Sequence, residues 1–448
     1  MHKLVVAVEK HRERIEKAFE FFWKNPETGY KEWKGHKYLA DAFRALGYEL
    51  TEAGNIPGFY TDVVTGRPGP MVLVMGELDS LLCTTHPEAD PETGAVHSCG
   101  HCCQSAALLG LAAALKEPGV LDDLCGTIRL MAVPAEELIE VEYREKLRQE
   151  GVIRYYGGKV EFMYRGYMDG VDVAFMIHTS SAPANSGSVT KGSNGCISKE
   201  IIFSGVAAHA GGSPDKGINA LYAANLGMNA INALRETFRD DDHIRIHPIV
   251  THGGTVVNAI PDYVRLESYI RGATLETILA ANKKVNRAVA ASAAAMGAKV
   301  LIKDRPGYSP RVHDLGMMRL AKDAMAEIMT CNYKETSWGT GCSDLGDVSM
   351  VFPAVHPYVG GAVGTEHGNN YYITDVETAC VGSAKVQANM LVKLLEKDAA
   401  KAWEIKKNFQ PPFATMEDFF RCIDGIFMDQ EAVRYNEDGS ITLQFANE

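Results

Sequence analysis

A thiol and an imidazole two residues apart are the first residues here able to do chemistry. In Val96-His97-Ser98-Cys99-Gly100-His101-Cys102-Cys103, Cys99 and His101 flank a glycine just after an apolar run. At i and i+2 they cannot share one face of a helical turn. A loop folding round an ion can present both, with Gly100 removing bulk between them. Glu136-Glu137 follows further on, and a soft donor, an imidazole and paired acids together suggest a metal-dependent hydrolase. Taken alone, the tripeptide reads more readily as a buried thiol beside a satisfied core imidazole.

Two other uses of these cysteines fail on local grounds. Covalent haem attachment needs His directly after the second Cys of C-x-x-C, and Cys103 stands there. Cys99 and Cys102 do satisfy C-x-x-C, but a redox pair belongs near the start of a small thioredoxin-like unit, and this chain is far larger.

The acids need a strand to position them. Thr127–Val133 is an apolar run bounded by turn residues, so Glu136 and Glu137 fall just past a strand end, where adjacent side chains point to different sides. One can then hold a metal while its neighbour reaches a water. An isolated Glu-Glu is more commonly a solvated turn, and the preceding strand tips the balance. Met71–Met75 and Asp172–Ile177 repeat the buried-strand pattern, the latter ending on His178, with a helix over Ala106–Lys116 between strands. This is α/β order, in which sites gather at strand C-termini.

Glu142–Asp169 reads as a helix plus an irregular connection. Composition shifts near Ser186, where Gly, Ser and Asn cluster, and a self-contained block follows. Its strands are 199–204, 244–250 and 263–271, and its helices 218–235 and 275–296. The chain then returns at Asp304-Arg305-Pro306-Gly307, with Val348–Phe352 expected as a strand and Val376–Leu395 as a closing helix. The fold class is α/β: a catalytic domain over 1–186 and 303–448, with a mixed sheet flanked by helices, and an inserted smaller α/β sandwich over 187–302.

At 448 residues the chain can bury a large core. Its formal charge of −12 opposes nucleic-acid binding. Ten scattered cysteines look like reduced thiols. The charged N-terminal segment, an amphipathic helix over Met1–Trp23, is not an export signal, and the longest apolar stretch, Ser105–Leu115, is too short to span a bilayer. The expected location is cytoplasmic, with no membrane partner.

Several motifs in order support a resemblance: Gly76-Glu77-Leu78-Asp79-Ser80-Leu81, Cys99-Gly100-His101, Pro134-Ala135-Glu136-Glu137, the strand ending in His178, and Gly205-Val206-Ala207-Ala208-His209-Ala210. The chain resembles the aminoacylase and carboxypeptidase (M20) family of two-metal peptidases, in its amidohydrolase branch. Gly76-Glu77-Leu78-Asp79 and Gly341-Cys342-Ser343-Asp344-Leu345-Gly346-Asp347-Val348-Ser349 bring it nearest the aminobenzoyl-glutamate hydrolases. The likeness runs from Asn25-Pro26-Glu27-Thr28-Gly29 to the final helix.

The resemblance implies two divalent transition-metal ions, zinc or manganese, held by Cys99, His101, Glu137, His178 and a late histidine. His367, in a glycine-rich loop, is chosen over His356, read as a surface strand-end residue. It further implies Glu136 as general base, Asp79 as the acceptor orienting a ligand histidine, and an insert serving as lid and dimerisation domain. From that insert His209 and Asn258 would meet the substrate carbonyl oxygen, and Arg271 a substrate carboxylate. A turn-capping Asp79 and a surface Arg271 are the plainer alternatives. The chain departs from the family at Cys102, where Asp or Asn is familiar, and at Gln104, where many members have His.

The expected activity is hydrolysis of the amide bond of a small, carboxylate-bearing N-acyl amino acid or dipeptide-like substrate by a homodimer. Two alternatives stand beside it: hydrolytic deamination of an aromatic amine, and a non-catalytic binding protein of the same fold.

Overall fold

The computed structural model describes residues 1–444. Strands without polar alternation need cover on both faces. Met71–Glu77 and Thr127–Val133, each buried from the second residue onward, lie side by side at the centre of a six-stranded sheet. Its order is Thr51–Glu52, Phe59–Val64, Thr127–Val133, Met71–Glu77, Val173–Phe175, Ala354–Val355. The first two pairings are antiparallel and the other three parallel. The helix His101–Ala114 is buried at every position and carries no Asp, Glu, Lys or Arg, as expected for a helix walled in on all sides. Arg12–Lys24 and Ser383–Asn408 pack against it. The expected N-terminal helix is two, Lys3–Lys10 and Arg12–Lys24.

Two expectations fail locally. Val348–Phe352 is not a strand: Leu345–Ser349 is a short helix. Leu345 and Val348, one turn apart, are both buried, and the Ser349 hydroxyl donates to the Gly346 carbonyl at 2.7 Å. Spacing and local bonding outweigh the β-branched composition. Asp304-Arg305-Pro306-Gly307 is not a return to the first domain, because it lies within the strand Lys299–Tyr308. Its charge is hidden by pairing: Asp304 receives Lys199 and, at 2.6 Å, the Asn282 amide.

The chain divides into two compact units. One comprises Met1–Gly192, Arg311–Trp338 and Ser343–Ala414; the other comprises Ser193–Pro310, Gly339–Cys342 and Thr415–Glu448. The second is built on an antiparallel sheet with Gly195–Ser204 between Tyr263–Gly272 and Lys299–Tyr308. The helices Ala220–Ala233 and Leu275–Ala295 pack on it. Its extent differs from the expected 187–302 chiefly because Met428–Glu431, from the C-terminal segment, pairs with Lys299–Tyr308.

Candidate metal centre

Three loops of the first unit meet where the central strands end. Asp79 lies two residues beyond Met71–Glu77, and Cys99 sits in the turn before His101–Ala114. Glu136 and Glu137 follow Thr127–Val133 by way of Ala135, whose φ of 57° turns the chain sharply. This left-handed residue is costly for a Cβ-bearing side chain, and it is held from both sides. The Ala135 amide donates to Glu32 Oε1 at 2.7 Å. Buried Arg144 donates to the carbonyls of Glu137 and, at 2.6 Å, Tyr156.

Three donor groups, each with ligand atoms within 4.8 Å of one another, occur here: Cys99, His101 and His178; Cys99, Glu137 and His367; Glu77, His101 and Glu136. Cys99 belongs to two of them. Its Sγ lies 3.5 Å from His178 Nε2, and His367 Nε2 lies 3.2 Å from Glu137 Oε1.

The imidazoles are set by their far nitrogens. His101 Nδ1 faces the Asp79 carbonyl at 3.0 Å and Oδ1 at 3.1 Å, and His178 Nδ1 faces the Thr179 carbonyl at 2.6 Å. Since those oxygens only accept, both rings keep a proton on Nδ1, which leaves Nε2 as the nitrogen a metal would take. His101 Nε2 is buried and faces Glu77 Oε2 at 3.2 Å, within the donor group of Glu77, His101 and Glu136. A buried nitrogen in that state fits a metal ligand whose other nitrogen is fixed by an outer partner.

Charge points the same way. Glu77, Asp79, Glu136, Glu137 and Asp344 are all buried in this region, which is tolerable only with compensating cations. Lys159, fully buried, pairs with Glu77 and Asp344. Burial opposes a charge on His101, but Glu77, then Cys99 and Asp79, outweigh it and raise its pKa well above the usual range. Burial opposes ionisation of Glu137, but His367 and His101 hold it down at about 2. Burial, reinforced by Glu77, Glu137 and Asp344, pushes Glu136 well above the carboxylate range. The two adjacent acids are thus driven apart, the division a ligand and a proton carrier require. Burial, then Glu137, lifts the Cys99 thiol, so holding a metal there means giving up a proton.

The remaining expected residues are placed as follows. His356 is no surface residue: it is 1 % exposed, with its Nδ1 receiving Arg311 and its ring 5.6 Å from that of His178. The parallel pairing of Ala354–Val355 with Val173–Phe175 carries it inside. Cys102 is fully buried. Gln104 donates to Glu77 Oε2 at 2.7 Å. In the second unit His209 and Asn258 are exposed on paired segments, with the Ala210 amide donating to the Asn258 carbonyl at 2.9 Å. Arg271 is part-buried over the Tyr269 ring. Sequence reasoning gave no role to Glu77, Lys159, Arg144 or Arg311. The Gly341–Ser349 motif contained Asp344 without revealing its partner.

Residues 190–296 match the peptidase dimerisation domain family (M20). The chain is 26 % identical over 408 residues to the Xaa-Arg dipeptidase of Mus musculus, covering 85 % of this chain and 83 % of that one. It is 28 % identical over 267 residues to one component of the p-aminobenzoyl-glutamate hydrolase of Escherichia coli K12, covering 56 % and 49 %. A Bacillus subtilis dinuclear metal-binding peptidase from the M20 family superposes with a TM-score of 0.64 at 20 % identity, covering 86 % of this chain and 99 % of that one.

Proposed function

The chain belongs to the M20 family of metal peptidases, and from that premise we propose that it hydrolyses the amide bond of a small N-acyl amino acid or dipeptide-like substrate. The observation that carries this is the pair of donor groups sharing Cys99, one completed by His101 and His178 and the other by Glu137 and His367. Mixed sulfur, nitrogen and oxygen donors suit zinc or manganese. Two such ions would supply an activated water and a polarised substrate carbonyl.

The protein's own residues do the rest. Glu136, whose surroundings raise its affinity for a proton, starts as the carboxylate, takes the proton of the attacking water and, now a carboxylic acid, delivers it to the departing amine nitrogen. Asp79 keeps the His101 proton on Nδ1. Arg144 and Glu32 hold the loop carrying both glutamates. We assign His209 and Asn258 as donors to the carbonyl oxygen as it gains charge, and a homodimer as the working unit. The dimerisation-domain match over 190–296, the span that contains His209 and Asn258, supports the homodimer. On this reading His209→Ala lowers kcat by roughly a hundredfold with metal content unchanged. A reducing, cytoplasmic setting is supported by ten cysteines without a disulfide, and no described helix is long and apolar enough to cross a membrane.

The test is metal analysis of protein purified without chelator, joined to a panel of N-acyl amino acids and dipeptides assayed for both amino acid and ammonia. About two metal equivalents with amino-acid release support the reading. Ammonia release makes the protein a deaminase, and bound metal with no turnover makes it a binding protein.

A further inference from the structure

Arg311, 5 % exposed, is a buried cation with no carboxylate to balance it among the described residues. Its guanidinium donates to His356 Nδ1 and, from Nη1 and Nη2, to the Tyr358 hydroxyl at 3.2 Å each. Every one of these partners is neutral. His356 accepts at Nδ1, so its proton sits on Nε2. Nearby His313 has Nδ1 against the Thr190 carbonyl at 2.6 Å and accepts the His356 backbone amide on Nε2 at 3.2 Å, so it too is neutral. Arg311 Nε and His356 Nε2 are buried N–H groups without a hydrogen-bond partner.

A buried guanidinium lacking a counter-charge is costly, as is each buried donor left unmade. The cost is greater beside a metal site, because His178 lies 5.6 Å, ring to ring, from His356 and 5.3 Å from Tyr358. An anion that receives both the guanidinium and an imidazole N–H removes these costs together. Carboxylate is the group whose two oxygens fit such donors.

We propose that Arg311 and His356 form the receptor for the substrate's free carboxylate, one imidazole away from the metal centre. This deepens the amidohydrolase reading and rests on it: the substrates are amides that carry an acid group, and the recognition lies in the first unit and not at Arg271. Tyr358 and His313 hold the two receptor residues in place.

The experiment compares metal-loaded wild type, Arg311→Met, Arg311→Lys and Arg271→Met on an N-acyl amino acid or dipeptide that the enzyme cleaves and on the C-terminal amide of the same compound. Wild type favours the free acid by roughly thirtyfold or more in kcat/KM, the range of a hydrogen bond to a charged group. Arg311→Met erases that preference, mainly through KM for the acid. Arg311→Lys, which keeps the charge but loses the fork, falls between. Equal losses on acid and amide, or a preference that follows Arg271, would overturn the proposal.

A binding readout separates this proposal from the activity. The free amino acid product raises the melting temperature of wild type more than its amide does, and the difference shrinks in Arg311→Lys and disappears in Arg311→Met. If wild type cleaves nothing on the panel, the amidohydrolase reading falls, and the binding readout still decides whether Arg311 takes a carboxylate. No acid-specific shift in wild type would reject the receptor.

Discussion

Asp79 ties His101 to Glu137: one carboxylate oxygen lies 3.1 Å from His101 Nδ1, and the other accepts the Glu137 backbone amide at 2.8 Å. A single side chain thus sets the tautomer of one donor and the position of the loop bearing another. Asp79→Asn keeps the shape but offers an amide where two N–H groups need acceptors. Metal affinity or kcat/KM falls about 10- to 100-fold, measured by competition with a chelator and by initial rates. An unchanged affinity and rate would leave Asp79 a turn cap.

The two neighbouring thiols separate a ligand from a packing residue. Cys99→Ala removes the donor shared by both groups and lowers metal content. Cys102, fully buried among apolar residues, is replaced by alanine at a cost of about 1 kcal/mol of stability and no loss of metal. Metal analysis after desalting checks both, and a matching loss in Cys102→Ala would move the donor set.

Lys159 holds two buried carboxylates, and its removal leaves both uncompensated. Lys159→Met destabilises the metal-free protein by about 3–5 kcal/mol, read by chemical denaturation. The same cluster sets an acid limit. Burial opposes ionisation of Glu77, but Lys159, His101 and His178 depress its pKa from 4.5 to about 2. A depressed carboxylate adds stability that is full above its unfolded value and is lost as pH falls through the folded one. The metal-free wild type therefore loses stability between about pH 4.5 and pH 2, and Glu77→Gln flattens that slope. An identical slope in the variant would exclude Glu77 as its source.

The parts legible in the sequence are those that local patterning encodes. Buried parallel strands print as unbroken apolar runs, so Met71–Met75 and Thr127–Val133 announced where Asp79 and Glu136 would emerge. The Cys99-Gly100-His101 turn is a contiguous signal, and the structure brings His101 and Cys99 to His178. The parts not legible are single residues whose meaning is a distant partner. Nothing near Lys159 points to Asp344, 185 positions away, and Arg311 acquires His356 and Tyr358 only through the fold. Val348–Phe352 reads as a strand and the structure has the helix Leu345–Ser349 instead, because an apolar stretch that short carries strand and helix signals alike.

The central claim is that Glu136 moves the proton while Glu137 holds metal, and one paired measurement tests it most directly. Glu136→Gln and Glu137→Gln, purified without chelator, are assayed together for bound metal and for turnover of a substrate that wild type cleaves. The account predicts that Glu136→Gln keeps close to wild-type metal but loses roughly a hundredfold or more in kcat, whereas Glu137→Gln loses metal and activity together. Equal metal retention with near-normal rates in both variants would contradict it.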